Sequence, residues 1–531
     1  MHGVGLETIR TNQNSLANNV DLRYNLFGGK MNRSENELYI IGAGFAGQMI
    51  AGDIKRKKIF GKVRAFLDDD KNLIGAEIDG IPVLGPIDDI ALVLNPKPSD
   101  EAILAIPTAN VERIAKIYKA LKASGFLRIK ILPSISQVVN GTAHLVQARE
   151  IDPLDILGRT PVTIPLRESL SYLRSKRVMI TGAGGSIGSE LARQLLSGGA
   201  ERLYLFGHGE NSIYLIDREL RILQQEGVGE AATIVPIIGD MKDREYVRHI
   251  VRATKCDAIF HCAAYKHVPL MEENAVAAVE NNVFGTKNLL DAALESGVKK
   301  FVLISTDKAV HPVSVYGASK MICEKLVLDA ASKIKKTHTS NSGEGERAFL
   351  FVRFGNVLGS RGSILPLFME QIKNGGPLTV TDENMERYFM TIPEACSLVL
   401  QAGGTGVNGA SYLLDMGEPI KIKDLAEQII LFSGLEVGKD IEIKYTKPRP
   451  GERLAEPLWA EEEYPEPTAF PKILKLKKPS QNEFDLDELL EKLRPICFGG
   501  NDYRNADALK KILCDAIPSL KQFYEDKGKV A

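Results

Sequence analysis

A chain of 531 residues exceeds one ordinary domain, and with 44% hydrophobic and 25% charged residues it has a globular composition able to bury two or more cores. A formal net charge of −1 without a long basic run argues against a nucleic-acid partner, which calls for a basic face. The six cysteines (Cys256, Cys262, Cys323, Cys396, Cys497, Cys514) form no CxxC pair, so they read as buried small hydrophobes in a reducing compartment, with no metal site and no disulfide framework.

Residues 1–35 hold no apolar run long enough for a signal peptide or membrane span, and their Asn, Ser and Gly content reads as a flexible arm. No longer apolar run follows, so the expectation is a soluble, cytoplasmic protein without a transmembrane segment. A first domain is predicted over 36–150. It opens with a short β-branched strand, the glycine turn Gly42, Gly44 and Gly47, and a helical pattern, with Asp68 downstream. No later Tyr/Lys or acid–base set accompanies it. A regulatory nucleotide site and a purely structural or oligomer-forming role both stand open for this domain.

Pro153, Pro161 and Pro165 mark a linker over 151–175. The second domain, 176–480, repeats the strand, glycine turn and helix, and its further strands read at 203–206, 234–238, 258–261, 301–305 and 349–353. Strands alternating with helices predict an α/β fold of two Rossmann-like, doubly wound parallel sheets. After residue 355 the pattern loosens into a smaller substrate-binding region, which includes a Pro- and Glu-rich turn at 461–467. A polar loop is read at 335–347, and residues 481–531 form an amphipathic helical tail with no visible chemistry.

The second turn carries Thr181, Gly182, Gly185 and Gly188, the TGxxGxxG spacing of short-chain dehydrogenases. Such a turn lets backbone N–H groups, with Ser186 and Ile187 between the glycines, approach a pyrophosphate at a helix N-terminus. Asp240 and Met241, after a strand, suit an adenine pocket, and Ala263 and Ala264 end another strand with small residues that let a cofactor lie close. His208 stands where an acidic residue would select NAD or an arginine NADP, so the choice between them stays open.

Strand 301–305 runs into Thr306, Asp307 and Lys308, and Tyr316 and Lys320 follow four apart on one helix face. An ammonium near a phenol favours the phenolate, so Tyr316 reads as a base and Lys320 as its partner and a ribose ligand. Asp307 and Lys308 add an acid and a base that a simple dehydrogenase does not need.

With Ala263–Pro269, Glu280–Thr286, 352–362, 387–391 and 449–453, these motifs resemble the nucleotide-sugar 4,6-dehydratases of polysaccharide biosynthesis. Those enzymes form a branch of the extended short-chain dehydrogenase/reductase superfamily, and the likeness is closest to members acting on UDP-N-acetylglucosamine. It runs from about 152 to about 456 and includes the stretch Asp155 to Arg159. The resemblance implies a tightly bound NAD or NADP regenerated in each cycle, and C4 oxidation assisted by Tyr316 and Lys320. It further implies elimination of water across C5–C6 by Lys308 and Asp307, whose roles are exchangeable, with Thr306 near the sugar O4.

It also implies that Asn356, Arg361, Arg387 and Arg449 hold the diphosphate, Glu452 the ribose, and Lys266 and His267 the sugar, in a homo-oligomer. The first domain resembles a CoA-binding type of unclear ligand. Long relatives carry membrane helices that this sequence lacks, and many have Met where Tyr316 stands, so inversion or retention at C5 stays open. The alternatives are a UDP-N-acetylhexosamine 4- or 2-epimerase and a non-catalytic nucleotide sensor.

Overall fold

The computed structural model describes residues 37–131 and 149–150, apart from 58–61, 98, 107, 108 and 110, and residues 170–526, apart from 338–346, 405, 434 and 478–483. The arm at 1–35, most of the linker, Asp155 to Arg159 and most of the polar loop at 335–347 lie outside the described residues. The chain divides into two units, 1–158 and 159–531.

In the first unit the strand Glu37–Ile41 is buried on both faces from Leu38 onward, as a central parallel strand requires. It pairs in parallel with Lys62–Leu67 on one side and Glu101–Leu104 on the other. Tyr39 and Ile41 pack with Ile117 and Leu121 of the helix Val111–Ala123, while Leu38 and Ile40 pack with Ile50 and Ile54 of the helix Phe45–Lys57. Seven strands complete the sheet, antiparallel at the edges Glu77–Ile78 and Arg149–Glu150. Gly42 sits at φ +107°, where a Cβ would lie 2.7 Å from the Ala105 carbonyl oxygen. The next amide, Ala43 N–H, donates to Asp68 Oδ2 at 2.6 Å. This glycine turn therefore hands one of its N–H groups to the chain's own carboxylate.

The second unit is a nine-stranded sheet. Its parallel part runs Thr233–Ile238, Arg202–Gly207, Arg177–Thr181, Ala258–His261, Lys300–Ile304, Ala348–Arg353, Ser411–Leu414. The five strands read from the sequence in this unit all form, within a residue of their expected ends. The order reverses direction between Arg177–Thr181 and Ala258–His261, which opens a crevice at the carboxyl ends of these strands. Two antiparallel strands, Ile473–Lys477 and Tyr464–Pro467, extend the far edge. The expected turn at 461–467 is thus partly an edge strand, where Pro465 and Pro467 cost no central ladder bond.

At the described end of the expected linker, Leu170 and Leu173 are buried and the Tyr172 hydroxyl donates to the Leu400 carbonyl at 2.6 Å. The tail folds as three helices, Leu486–Phe498, Ala506–Ala516 and Pro518–Asp526. Their leucines join the core beside the helix Val315–Thr337. No helix among the described residues is long and apolar enough to cross a membrane.

One buried ion-pair network fixes the strand that leads into the candidate site. Arg353, 3% exposed, reaches Glu324 Oε2 at 2.7 Å and Glu463 Oε2 at 2.7 Å, and Glu324 Oε1 accepts from the Ser305 hydroxyl at 2.5 Å. Arg353→Met leaves two carboxylates buried without their cation. The expected result is a loss of about 3–5 kcal/mol in the urea-unfolding free energy; an unchanged midpoint contradicts this account of the network.

Candidate active site

The crevice is a cleft of about 1200 Å³, and its floor is the second glycine turn. Gly182 has φ +66°, and a Cβ there would stand 2.8 Å from the Ala263 Cα; at Gly188 it would stand 2.3 Å from the Gly182 carbonyl oxygen. The helix Ser186–Ser197 begins at Gly185 with no side-chain cap, so its first-turn N–H groups face an open cradle. Gly182, Gly185, Ser186, Ile187 and Gly188 all line it, and Ala264 lies alongside. These residues fit the pyrophosphate of a dinucleotide: backbone donors, a positive helix end and no Cβ in the way.

Ala263 packs beneath Gly182, and Met241 is buried under Gly285. Asp240 is bound to its neighbour Lys242, accepting its N–H at 2.9 Å and pairing with its ammonium at 3.3 Å. His208 is exposed at the end of Arg202–Gly207, its ring edge-on to Tyr265. Ala263, Met241, Asp240 and His208 are therefore not part of the cleft lining; they sit on adjacent strand ends around it.

The buried His261 closes the far side of the turn. Its Nδ1 lies 2.7 Å from Thr181 Oγ1 and its Nε2 2.8 Å from Thr286 Oγ1. Burial, then the Lys320 charge, pushes it down from an ordinary 6.5 to about 3. The ring is neutral in the fold, so below about 6.5 the unfolded chain takes up the proton first. This contribution to stability is complete above pH 6.5 and is lost progressively as pH falls towards 3. Urea midpoints measured across that window should fall less steeply in His261→Gln than in the parent protein; parallel slopes contradict the assignment.

The strand Lys300–Ile304 delivers Ser305 and Thr306, and a 3-10 turn, Asp307–Ala309, follows. Asp307 is wholly buried; its Oδ1 accepts from the Thr306 hydroxyl at 2.9 Å and from the Lys308 ammonium at 3.0 Å, while Oδ2 has no hydrogen-bond partner. Lys308 also reaches Asn356 Oδ1 at 3.2 Å and, at 3.8 Å, Glu456 Oε1. The ammonium is thus bracketed at the cleft wall by two carboxylates and an amide.

Tyr316 and Lys320, on the helix Val315–Thr337, both line the cleft. The expected pull of Lys320 on the phenol is not what shapes it. Lys320 is turned onto the Ile304 carbonyl at 2.6 Å, and burial pushes its own pKa down. Burial, with the charges of Asp307 and Glu456, pushes Tyr316 well above its ordinary value, opposed by a hydrogen bond with Thr306. Desolvation at the start of this helix outweighs the charge pattern that the sequence suggested.

Of the expected substrate residues, Lys266, His267, Asn356, Arg361, Arg387, Arg449 and Glu452 all line the cleft. Lys266 reaches the Ser360 hydroxyl at 3.3 Å, and burial and the neighbouring Lys308 lower its pKa. Arg361 lies on the glycine turn, its guanidinium donating to the Gly184 carbonyl at 3.0 Å. Arg449 pairs with Glu452 at 3.2 Å. Arg387 has its donors taken up by the carbonyls of Glu386, Leu454 and Arg453 at 2.7–2.8 Å, so it grips the 453–454 segment. The sequence assigns no individual role to two residues that the structure brings to the site: Asn282, within the Glu280–Thr286 motif, and Glu456. Asn282, in a π-helical turn Val279–Phe284, holds both the N–H and the carbonyl of Tyr265. Glu456 lies just past the 449–453 motif, three residues after Arg453, the spacing of an ordinary surface ion pair.

A family model described as "Polysaccharide biosynthesis protein" matches residues 178–478. The chain belongs to this family. The matched residues include the cleft lining, with Asp307, Lys308, Tyr316 and Lys320, and the arginine segment. "Capsular polysaccharide biosynthesis protein CapD" of Staphylococcus aureus is 39% identical over 457 residues, 86% of this chain and 74% of that protein. "UDP-N-acetylglucosamine 4,6-dehydratase (inverting)" of Campylobacter jejuni is 34% identical over 256 residues, 48% of this chain and 71% of that protein. "UDP-glucose 4-epimerase" of Rickettsia rickettsii is 32% identical over 293 residues, 54% and 79% of the two chains.

Proposed function

We propose that the second unit is a nucleotide-sugar 4,6-dehydratase acting on UDP-N-acetylglucosamine. The observation that carries this reading is the Asp307–Lys308 pair, 3.0 Å apart: Lys308 lines the cleft with Tyr316, and Asp307 is buried directly behind it. Hydride transfer alone needs neither residue; elimination of water needs both an acid and a base.

A nicotinamide dinucleotide, held at Gly182, Gly185 and Gly188, would supply hydride uptake from the sugar C4 and its return at C6. Thr306 holds the O4 hydroxyl and Tyr316 takes its proton. The buried phenol is protonated as it stands, so this step requires Lys320 to leave the Ile304 carbonyl and approach it. With C4 oxidised, the hydrogen at C5 is acidic; a proton passed from the Lys308 ammonium to Asp307 Oδ1, 3.0 Å away, leaves Lys308 as the amine that removes it and Asp307 as the acid. Asp307 gives a proton to the departing O6, and Lys308 returns its proton to C5. Summed over these steps, the sugar loses one water, and the proton that Tyr316 took from O4 returns to the Asp307–Lys308 pair to close the cycle. Arg361, beside the Gly184 carbonyl, and Arg449, at the exposed rim, suit the diphosphate.

A 4- or 2-epimerase is the second reading, supported by the likeness to an epimerase and by the parts both reactions share. Incubation with UDP-N-acetylglucosamine separates the two. A dehydratase gives a product lighter by one water, an epimerase one of unchanged mass. Lys308→Ala should slow water loss on the order of 10²–10⁴-fold while UDP affinity, measured by calorimetry, holds; full-rate dehydration by that variant removes Lys308 from the base role.

A further inference from the structure

Glu456 has no part in the reaction just described, yet it stands among the groups that do. Its side chain is 3% exposed and lines the cleft. Oε1 lies 3.8 Å from the Lys308 ammonium and 3.9 Å from the Arg387 guanidinium, and Oε2 lies 3.4 Å from Arg453 Nε. Neither Glu456 Oε2 nor Arg453 Nε has a hydrogen-bond partner. A carboxylate placed only to hold the fold would be satisfied, because an unmet buried acceptor costs roughly 1–3 kcal/mol. Arg387 is already bound by three carbonyls, so its pull on Glu456 is one of charge at a distance. Of the two cleft-lining cations that Glu456 faces, Lys308 and Arg387, Lys308 is the one not already held by three backbone carbonyls.

We propose that Glu456 is a positioning residue for the elimination: it holds the Lys308 side chain opposite Asp307 and Asn356, at the place from which the amine meets the C5 hydrogen. The inference rests on the dehydratase reading above. Lys308 is a long side chain with four rotors, and Asp307 precedes it directly in the chain. A second anion on another segment fixes the direction in which the ammonium extends. Glu456 belongs to the stretch that also carries Arg449 and Glu452, so occupation of the nucleotide end and placement of Lys308 are tied through one short segment. The charged groups that face Glu456 are Lys308, Asp307, Arg387 and Arg453, and burial is the chief cause that raises its pKa. As pH falls through that raised value the carboxyl becomes neutral and its hold on Lys308 is lost.

The experiment compares parent protein, Glu456→Gln and Glu456→Asp with UDP-N-acetylglucosamine, following the transient absorbance of reduced cofactor and, separately, water loss by mass. In Glu456→Gln the C4 oxidation should proceed as in the parent while water loss slows by about 10²-fold, the cost of a misplaced reacting group. KM, UDP affinity and melting temperature should stay put, and Glu456→Asp should recover part of the rate. The parent-to-Gln ratio should shrink towards one as pH is lowered. Oxidation and water loss falling together, or a ratio that does not change with pH, makes Glu456 a structural residue and overturns the proposal. If the parent protein loses no water from the sugar, the dehydratase reading itself fails, and this inference with it.

Discussion

A wholly buried carboxylate with an ammonium 3.0 Å away, at the mouth of a parallel sheet, is the constraint from which the rest of the second unit follows. Burying either charge alone costs several kcal/mol, and only the pair, with its added hydrogen bonds, is tolerable. Asp307 and Lys308 are neighbours in the chain, so the pair can form only if the strand end and the turn after it are held rigidly. Ser305 is tied to Glu324, Glu324 to Arg353, and Arg353 to Glu463, which fixes the strand from three directions. The Asp307 N–H continues the ladder by donating to the Phe354 carbonyl at 3.1 Å.

The helix that presents Tyr316 is braced from the opposite end of the chain. Its first amide, Val315 N–H, donates to Glu272 Oε1 at 2.7 Å, and the Tyr524 hydroxyl of the last helix donates to the other oxygen of the same carboxylate. Ser519 donates to the Pro312 carbonyl at 3.0 Å, and Arg504 pairs with Glu280 at 2.8 Å. The tail, which shows no chemistry in its sequence, is therefore packing and polar support for the turn between Lys308 and Tyr316. The proposed acid–base chemistry would tolerate little displacement of these groups.

The strands and glycine turns were legible because their signals are local: β-branched runs, then glycines where a Cβ would collide with the next strand. Tyr316 and Lys320 were legible for the same reason, since four-residue spacing puts two side chains on one helix face. What the residue pattern could not convey was desolvation. The charge pattern suggested a phenol lowered by its lysine, whereas burial raises the phenol and turns the lysine onto a carbonyl. Long-range partners were equally hidden. Glu456 meets Lys308, and Tyr524 meets Glu272, only because the sheet brings distant segments to one edge. Proline at 465 and 467 read as a turn because the sequence does not say which strand will be the edge.

The most direct test of the central claim, that hydride transfer here is joined to loss of water, uses UDP-N-acetylglucosamine deuterated at C4. Product NMR should find the deuterium at C6 of a 4-keto-6-deoxy sugar. Deuterium retained at C4 in a product of unchanged mass contradicts the account and returns the site to epimerisation.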